Sequence, residues 1–385
     1  MINIAIIGTG SIASSHVNGY KKLNKKSTIT ALADIYPENA KKIAEEHQLN
    51  VKIVEDYREL LGDPDIHAVS ICTPPFTHSE IAIACLKAGK DVLVEKPMAS
   101  SLKECDEMIK AAEENNKILS VVAQNRFLTP IMRLKHVLEQ KLVGKIAHAQ
   151  VDSFWWRGHS YYDLWWRGTW EKEGGGCTLN HAVHHIDMLQ WMMGQPKSVT
   201  AVTTNTLHDN AEVEDLSIAI LSYDNGSLAQ VTSSVVHHGE EQQLIFQGEK
   251  GRVSVPWKVT AEAGRENGFP LEKKNTDFEK TVHEVYENYP ALEYEGHTGQ
   301  INDFLTAIEN GESVLVDGSQ GRQTLEIIMA VYESASTGRT IQLPLTESNL
   351  FYDRAGVLEN AIHYYEKTKT VKGFEDNEIT TGGQY

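Results

Sequence analysis

The strongest constraint on this chain is a rhythm repeated over its first 122 residues, in which short apolar runs alternate with stretches of helical periodicity. Ile4–Ile7, Thr28–Ala33, Val51–Val54, Ala68–Cys72, Asp91–Glu95 and Ile118–Ala123 read as strands. Pro37–His47, Tyr57–Leu61, Ser79–Ala88 and Ser101–Asn116 read as helices between them, with Pro37 at a first helical position. Apolar runs without alternation belong to strands buried on both faces. Strands separated by helices pair in parallel, so this half predicts an α/β fold with a doubly wound sheet.

The texture changes after Asn125. Ile131–Gln140 reads as a helix, and Lys145–Trp156 opens a series of longer, alternating or β-rich runs: Ser198–Leu207, Leu216–Tyr223, Ser227–Val236, Gln242–Gly248 and Arg252–Val255. Asp224-Asn225-Gly226 between two of them is a hairpin signal. Successive strands without intervening helices predict a C-terminal α+β domain with a large open, mostly antiparallel sheet. Late helices at Thr298–Asn310 and Gly318–Thr337 complete it. The expected organisation is a dinucleotide-type domain over residues 1–123, an α+β domain over 124–346, and an extension over 347–385. That extension is expected to hold a helix near Leu350–Lys367 and then a polar end running into Thr-Thr-Gly-Gly.

Charge narrows the partners. With 36 Lys and Arg against 53 Asp and Glu, the formal net charge is −17. Such a balance repels phosphate backbones and anionic lipid, so neither nucleic acid nor a membrane surface is an expected partner. Cys72, Cys85, Cys105 and Cys177 show no paired spacing, and they are expected as free thiols in the reducing cytoplasm. Met1-Ile2-Asn3-Ile4-Ala5 reads as the start of the first strand, not as a signal peptide.

Gly8-Thr9-Gly10-Ser11-Ile12-Ala13 is a G-x-G-x-x-A sequence placed where the first strand hands over to the first helix. Gly8 allows the tight turn, Gly10 lets a pyrophosphate approach the backbone, and Ala13 lets the helix pack on the sheet. The helix N-terminus adds free N–H groups and partial positive charge. Asp34, at the end of the second strand, is placed to take ribose hydroxyls. A carboxylate there repels the 2′-phosphate of NADP, so the expected cofactor is NAD. Together these features describe a Rossmann domain.

Further motifs follow in order: Cys72-Thr73-Pro74-Pro75 with His78, Glu95-Lys96-Pro97, Gly174-Gly175-Gly176 leading to Asn180, His184 and Asp187, and a closing stretch with Val316-Asp317-Gly318. In this order they resemble the glucose–fructose oxidoreductase / inositol dehydrogenase / rhizopine-catabolism (Gfo/Idh/MocA) family, from the first strand to Pro344. The resemblance implies a nicotinamide-dependent oxidoreductase acting on sugars or cyclitols, with a cis Lys96–Pro97 bond. It also implies cofactor contacts from Thr73, Pro74, His78, Glu95 and Lys96. The family often has aspartate where this chain has Asn180, and a neutral amide cannot act as a carboxylate base.

Oxidising a secondary alcohol needs a proton acceptor and a group that stabilises alkoxide-like charge. Lys96 is the expected donor to the oxygen and His184 the general base. On one continuous helix Asn180, His184 and Asp187 would share a face, with His181 and His185 turned away. Asn180 and Asp187 are therefore expected at the substrate, Asp187 alternatively orienting the imidazole. Phe154-Trp155-Trp156-Arg157-Gly158 is echoed by Leu164-Trp165-Trp166-Arg167-Gly168. Trp166 and Arg167 match the family's cleft-lining position and offer a flat indole and a guanidinium fork to a sugar ring. Gln124 and Asn125, just past the last Rossmann strand, are expected to reach the nicotinamide edge. His181 and His185 have the i, i+4 spacing of a zinc helix, but no third ligand accompanies them, and no metal is expected.

The expected function is an NAD-dependent dehydrogenase oxidising a ring hydroxyl of a sugar, sugar derivative or cyclitol. The alternatives are an NAD-dependent glycosidase using transient C3 oxidation and a non-enzymatic dinucleotide-dependent regulatory protein. A homodimer or homotetramer through the open sheet is expected, with Val231, Val235 and Phe246 on its uncovered face.

Overall fold

The computed structural model describes residues 1–272 and 274–374. Its first sheet contains β1 (Ile2–Ile7), β2 (Ser27–Ala33), β3 (Lys52–Val54), β4 (Ala68–Ile71), β5 (Asp91–Val94) and β6 (Leu119–Val121). They are all parallel, in the order β3-β2-β1-β4-β5-β6. The strand order reverses between β1 and β4, so the connections after these two strands leave toward opposite faces and open a crevice at their carboxyl ends. Both the glycine loop and the Thr73-Pro74 turn border that crevice. Gly8 has φ +91°, and a Cβ there would stand 2.7 Å from the Cys72 carbonyl carbon and the Thr73 nitrogen. Only glycine lets the two turns approach so closely.

The second sheet holds β7 (Ile146–Phe154), β8 (Ser198–Thr204), β9 (Leu216–Ser222), β10 (Leu228–Ser234), β11 (Gln242–Gly248), β12 (Arg252–Val255), β13 (Lys258–Thr260) and β14 (Ile341–Gln342). Its order is β13-β12-β11-β7-β10-β9-β8-β14, antiparallel throughout except for the central β7–β10 pair. The expected hairpin joins β9 to β10, with Gly226 at φ +83°. β13, β14 and the helix Thr276–Asn288 were not legible as elements in the sequence.

The helices Val183–Met193 and Gly318–Thr337 cover one face of this sheet. Here the expected register is corrected. Val231, Val235 and Phe246 are 3%, 0% and 0% exposed and point under the helices. The uncovered face instead carries Val202, Ile218, Ile220 and Leu228, exposed by 71%, 48%, 51% and 47%. Since side chains alternate along a strand, a slip of one position in assigning the inner set exchanges the two faces.

The helix Gly296–Asn310, expected to close the second domain, packs on the first. Its Ile301, Phe304 and Leu305 share a core with Ile4, Ile6, Val17 and Tyr20. The following segment then extends the first sheet, with Val121 N–H donating to the Val316 carbonyl at 3.1 Å. Among the described residues of the extension only Arg354–Asn360 is helical, and residues 361–370 follow without regular structure, bonding to the second domain. The Thr-Thr-Gly-Gly end lies outside the described residues. Among the described residues no helix is long and apolar enough to cross a membrane.

Candidate active site

The site grows from the carboxyl ends of β1, β2, β4 and β5. The helix after the glycine loop, Ala13–Lys22, starts without a side-chain cap and without an acidic residue in its first turn. Its first N–H groups thus keep their partial positive charge for an anion. A Cβ on Gly10 would find no protein atom within 4 Å, so the space over this turn is open to a pyrophosphate. Ser11 and Ile12 continue the turn, Ser11 exposed to the crevice side and Ala13 buried against the sheet. Asp34 stands at the end of β2, where its Oδ2 accepts from the Thr9 N–H at 2.7 Å and the Thr9 hydroxyl at 2.6 Å. Its Oδ1 accepts from the Tyr36 N–H at 2.9 Å. The carboxylate is thereby held over the glycine turn. At the far end of the crevice, Gln124 Oε1 is buried without a protein partner, an acceptor suited to a carboxamide. Asn125 lies beside it in the same turn, Gln124–Phe127. These features fit a dinucleotide.

Two expected cofactor contacts are corrected. His78 is fully buried, and both its ring nitrogens are occupied: Nδ1 by the Pro97 carbonyl at 2.9 Å and Nε2 by the Thr73 carbonyl at 2.8 Å. It ties the Thr73-Pro74 turn to the turn after β5 instead of touching a ligand. Glu95 is buried as well. Its Oε1 bonds to His16 Nε2 at 2.9 Å and His297 Nε2 at 3.3 Å, and its Oε2 accepts from the Lys96 N–H at 3.1 Å. Burial alone would push the Glu95 carboxyl up, but the two imidazoles outweigh it and hold it well below the usual range. Glu95 is therefore an anion beneath Lys96. Neither His16 nor His297 was singled out from the sequence, since each is a lone histidine on a helix and the two are 281 residues apart.

Lys96 follows β5 through a cis Lys96–Pro97 bond, as the resemblance implied. Its Nζ donates to the Asn180 carbonyl at 3.3 Å. Burial lowers its pKa from the ordinary 10.5, partly opposed by Glu95 and reinforced by the Arg167 charge. Asn180 and His184 do not share one helix: Cys177–Asn180 and Val183–Met193 are separate, with a break at His181. The triplet before them is held close to its neighbours. Gly175 and Gly176 pack so closely on the Tyr332 hydroxyl and the Glu214 carbonyl that no Cβ fits at either.

Asn180 Nδ2 donates to the Gly175 carbonyl at 2.9 Å and the Gly176 carbonyl at 3.3 Å. An ionised aspartate, which has only acceptors, could not make these bonds, which accounts locally for the amide. Asn180 Oδ1 is the side-chain atom left to accept from a ligand. The His184 ring is pushed well below 6.5 by burial first and the Lys96 charge second, so it is a neutral imidazole near pH 7. His185 is fully buried and its pKa is pushed down to about 3, so it is a core residue.

Asp187 is the third correction. Its Oδ2 and Oδ1 pair with Arg126 Nε and Nη2, both at 2.7 Å, and Oδ1 also accepts from Thr324 Oγ1 at 3.1 Å. The carboxylate is thus spent on a buried fork of two parallel bonds. Arg126, in the same turn as Gln124 and Asn125, is fully buried in that pair.

On the opposite wall, the Arg167 guanidinium lies 4.2 Å from the ring centres of both Tyr161 and Trp166 and bonds Glu173 at 2.9 Å. Trp166 and Arg167 keep partial exposure, whereas Trp155 is buried and Trp156 is exposed.

With this geometry in place, the comparisons are decisive. Residues 2–123 match the NAD-binding Rossmann fold of an oxidoreductase family and residues 135–343 match its C-terminal alpha/beta domain. The chain belongs to the Gfo/Idh/MocA oxidoreductase family. Among its relatives, myo-inositol 2-dehydrogenase of Thermotoga maritima is 26% identical, over 89% of this chain and 98% of that protein. Levoglucosan dehydrogenase of Pseudarthrobacter phenanthrenivorans is 25% identical, over 89% and 98%. The structure of the WlbA dehydrogenase from Bordetella pertussis with NADH and UDP-GlcNAcA superposes with a TM-score of 0.76 at 27% identity, covering 90% of this chain and 99% of that one. This member of the Gfo/Idh/MocA family is an NAD-binding oxidoreductase of the group acting on CH–OH groups.

The Arg126–Asp187 pair yields a test that separates scaffold from substrate contact. Asp187→Asn leaves a buried guanidinium uncompensated and should cost about 3–5 kcal/mol of stability in urea unfolding. A double replacement, Arg126→Met with Asp187→Leu, should recover much of that loss. A substrate contact would instead raise KM and leave the unfolding midpoint in place.

Proposed function

We propose that the protein is an NAD-dependent dehydrogenase that oxidises a ring hydroxyl of a sugar, sugar derivative or cyclitol to a ketone. One observation carries the reading: at the carboxyl edge of the Rossmann sheet Lys96 Nζ bonds the Asn180 carbonyl, four residues before His184, whose buried imidazole is held neutral. An ammonium donates to the substrate oxygen and stabilises its developing negative charge. A neutral imidazole accepts the hydroxyl proton, and burial keeps it neutral and therefore competent. Asn180 Oδ1 receives a neighbouring hydroxyl. Trp166 offers a flat face to the ring, and Arg167, flanked by Tyr161 and Trp166, forks onto ring substituents.

Gly8, Thr9, Gly10, Ser11, Ile12, Ala13 and Asp34 hold the adenosine and pyrophosphate half of NAD. Thr73, Pro74, Gln124, Asn125 and Lys96 border the nicotinamide half, with His78 and Glu95 fixing those turns from behind. Bound NAD supplies the hydride acceptor. The relatives support the substrate class, since their names specify inositol and levoglucosan. No metal is needed in this scheme. His16, Glu95 and His297 converge closely, yet each is already satisfied by the others' hydrogen bonds.

The primary experiment is a panel of polyols, sugars and uronates screened for NADH formation. Lys96→Ala and His184→Ala should each lower turnover about 10²–10⁴-fold. NAD affinity, held at the glycine turn, should stay within about threefold, the scale of a few tenths of a kcal/mol. Because protonated Lys96 is the donor, kcat/KM should fall on the alkaline side with a midpoint below 10.5, and Lys96→Met should abolish that limb. His184 titrates well below 6.5, so no loss from its protonation should appear at neutral pH. Undiminished turnover in both alanine variants would overturn the assignment.

Asp34 supports NAD over NADP, because its carboxylate would face the 2′-phosphate. Asp34→Ser should shift the ratio of kcat/KM values toward NADP, and an unchanged ratio would count against the ribose role.

The uncovered sheet face supports an oligomer. Val202, Ile218, Ile220 and Leu228 form an apolar patch on β8, β9 and β10 that is costly to leave wet. Light scattering at micromolar concentration should give a dimer or tetramer, and Ile218→Lys with Ile220→Lys should give a monomer.

A further inference from the structure

The family match ends at residue 343, but the chain continues across the second domain. We propose that residues 362–371 are part of the substrate site. They form a strap that holds the Trp165–Gly168 wall in place, with Val371 and Lys369 as positioning residues for Trp166 and Arg167. This rests on the reading of Trp166 and Arg167 as the substrate wall.

The wall needs such support. Between the short 3₁₀ turn His159–Asp163 and the helix Cys177–Asn180 the chain has no regular element of its own. Its backbone groups must therefore be paired one by one or face water. Some bonds are local, as from the Arg167 N–H to the Leu164 carbonyl at 3.0 Å, and the strap supplies others. Val371 N–H donates to the Asp163 carbonyl at 2.8 Å, and Trp165 N–H donates to the Val371 carbonyl at 2.9 Å, a parallel bridge centred on Leu164 and Val371. Lys369 Nζ pairs with Asp163 Oδ2 at 2.6 Å, and Lys367 Nζ donates to the Tyr162 carbonyl. The indole N–H of Trp170 donates to the Ile362 carbonyl at 3.0 Å.

The strap is itself anchored to the domain. Tyr364 N–H donates to the Glu212 carbonyl at 3.0 Å, and its hydroxyl bonds Thr203 Oγ1 at 2.7 Å. Glu212 closes the circuit: its N–H donates to the Gly168 carbonyl at 2.8 Å and its Oε2 accepts from the Trp170 N–H at 3.1 Å. The wall is thus held on both sides of the Trp166-Arg167 pair. Lys369 is largely exposed, so its pair is partly screened and the backbone bridge at Val371 is the stronger tie.

A wall tied down beforehand loses little freedom when substrate arrives. If the tie is cut, Trp166 and Arg167 must be ordered at the moment of binding, which weakens binding about five- to a hundredfold. The chemistry at Lys96 and His184 lies on other elements, so kcat is largely spared and the loss appears in KM.

The test uses the full-length protein with Val371→Pro, which deletes the N–H donor, and Lys369→Gln, with Lys369→Arg as the conservative rescue. Hydrogen exchange should quicken at the amides of Trp165 and Arg167 in Val371→Pro, while the amides of β1–β6 and the affinity for NAD stay at wild-type values. With the sugar found by the panel, KM should rise about tenfold while kcat changes by less than about threefold. Lys369→Gln should show a smaller rise that Lys369→Arg reverses. Unchanged exchange at the wall, or unchanged KM despite faster exchange, would overturn the proposal. So would a uniform loss of NAD affinity and stability, which would mark the strap as general scaffold. If the wild-type protein oxidises nothing in the panel, the dehydrogenase reading fails, and the exchange measurement still decides whether the strap holds the wall.

Discussion

The geometry of the site depends on one buried ion pair. Arg126 lies just past the last strand of the Rossmann sheet and Asp187 lies one helical turn beyond His184, so their two parallel bonds at 2.7 Å join the two domains. Gln320 and Thr324 on the helix Gly318–Thr337 add bonds at 2.8 and 3.1 Å. Three elements far apart in sequence are thereby locked together, and the helix that carries His184 is set against the strand end that carries Lys96. Desolvating two charges returns little net stability, even when they are well paired. What such a pair offers is a defined arrangement, since any displacement strands a charge in an apolar interior.

Around that lock, burial decides the protonation states. Glu95 is kept anionic by His16 and His297 although it is buried, and it sits directly under Lys96. Its charge opposes the lowering of the Lys96 pKa by desolvation. For His184 burial and the Lys96 charge outweigh the opposing pull of Glu95, and the ring is left neutral. The proposed roles of donor and acceptor rest on that difference between the two groups. The histidines that secure Glu95 come from the first helix and from Gly296–Asn310, which packs on the first domain through Ile301, Phe304 and Leu305.

Much of this was legible in the sequence, and the misses share a cause. The glycine loop, Asp34 and the Lys96-Pro97 turn are local: each depends on a strand end and the residues that follow it, and each was found where it was expected. The residues misjudged were those whose partners are remote. Asp187 reads as a free carboxylate until Arg126, 61 residues earlier, is folded against it. His78 and Glu95 read as ligand contacts until their hydrogen-bond partners at Thr73, Pro97, His16 and His297 are in place. The helical-wheel argument for Asn180 assumed one continuous helix, whereas the chain breaks at His181, between Cys177–Asn180 and Val183–Met193.

Sequence by itself determined the first sheet, its parallel order of strands and helices, the dinucleotide turn and the place of Lys96 at the end of a strand, because those follow from periodicity and from turns a few residues long. Tertiary structure alone decided which face of the second sheet is uncovered, which carboxylates are already paired, in which direction the lysine and histidine are shifted, and that the segment beyond the family match bonds to the stretch around Trp165. The physical reason is that a side chain's charge, partners and exposure are properties of the space it is packed into. In this protein that space is assembled from segments as far apart as His16 and His297, or Asp163 and Lys369.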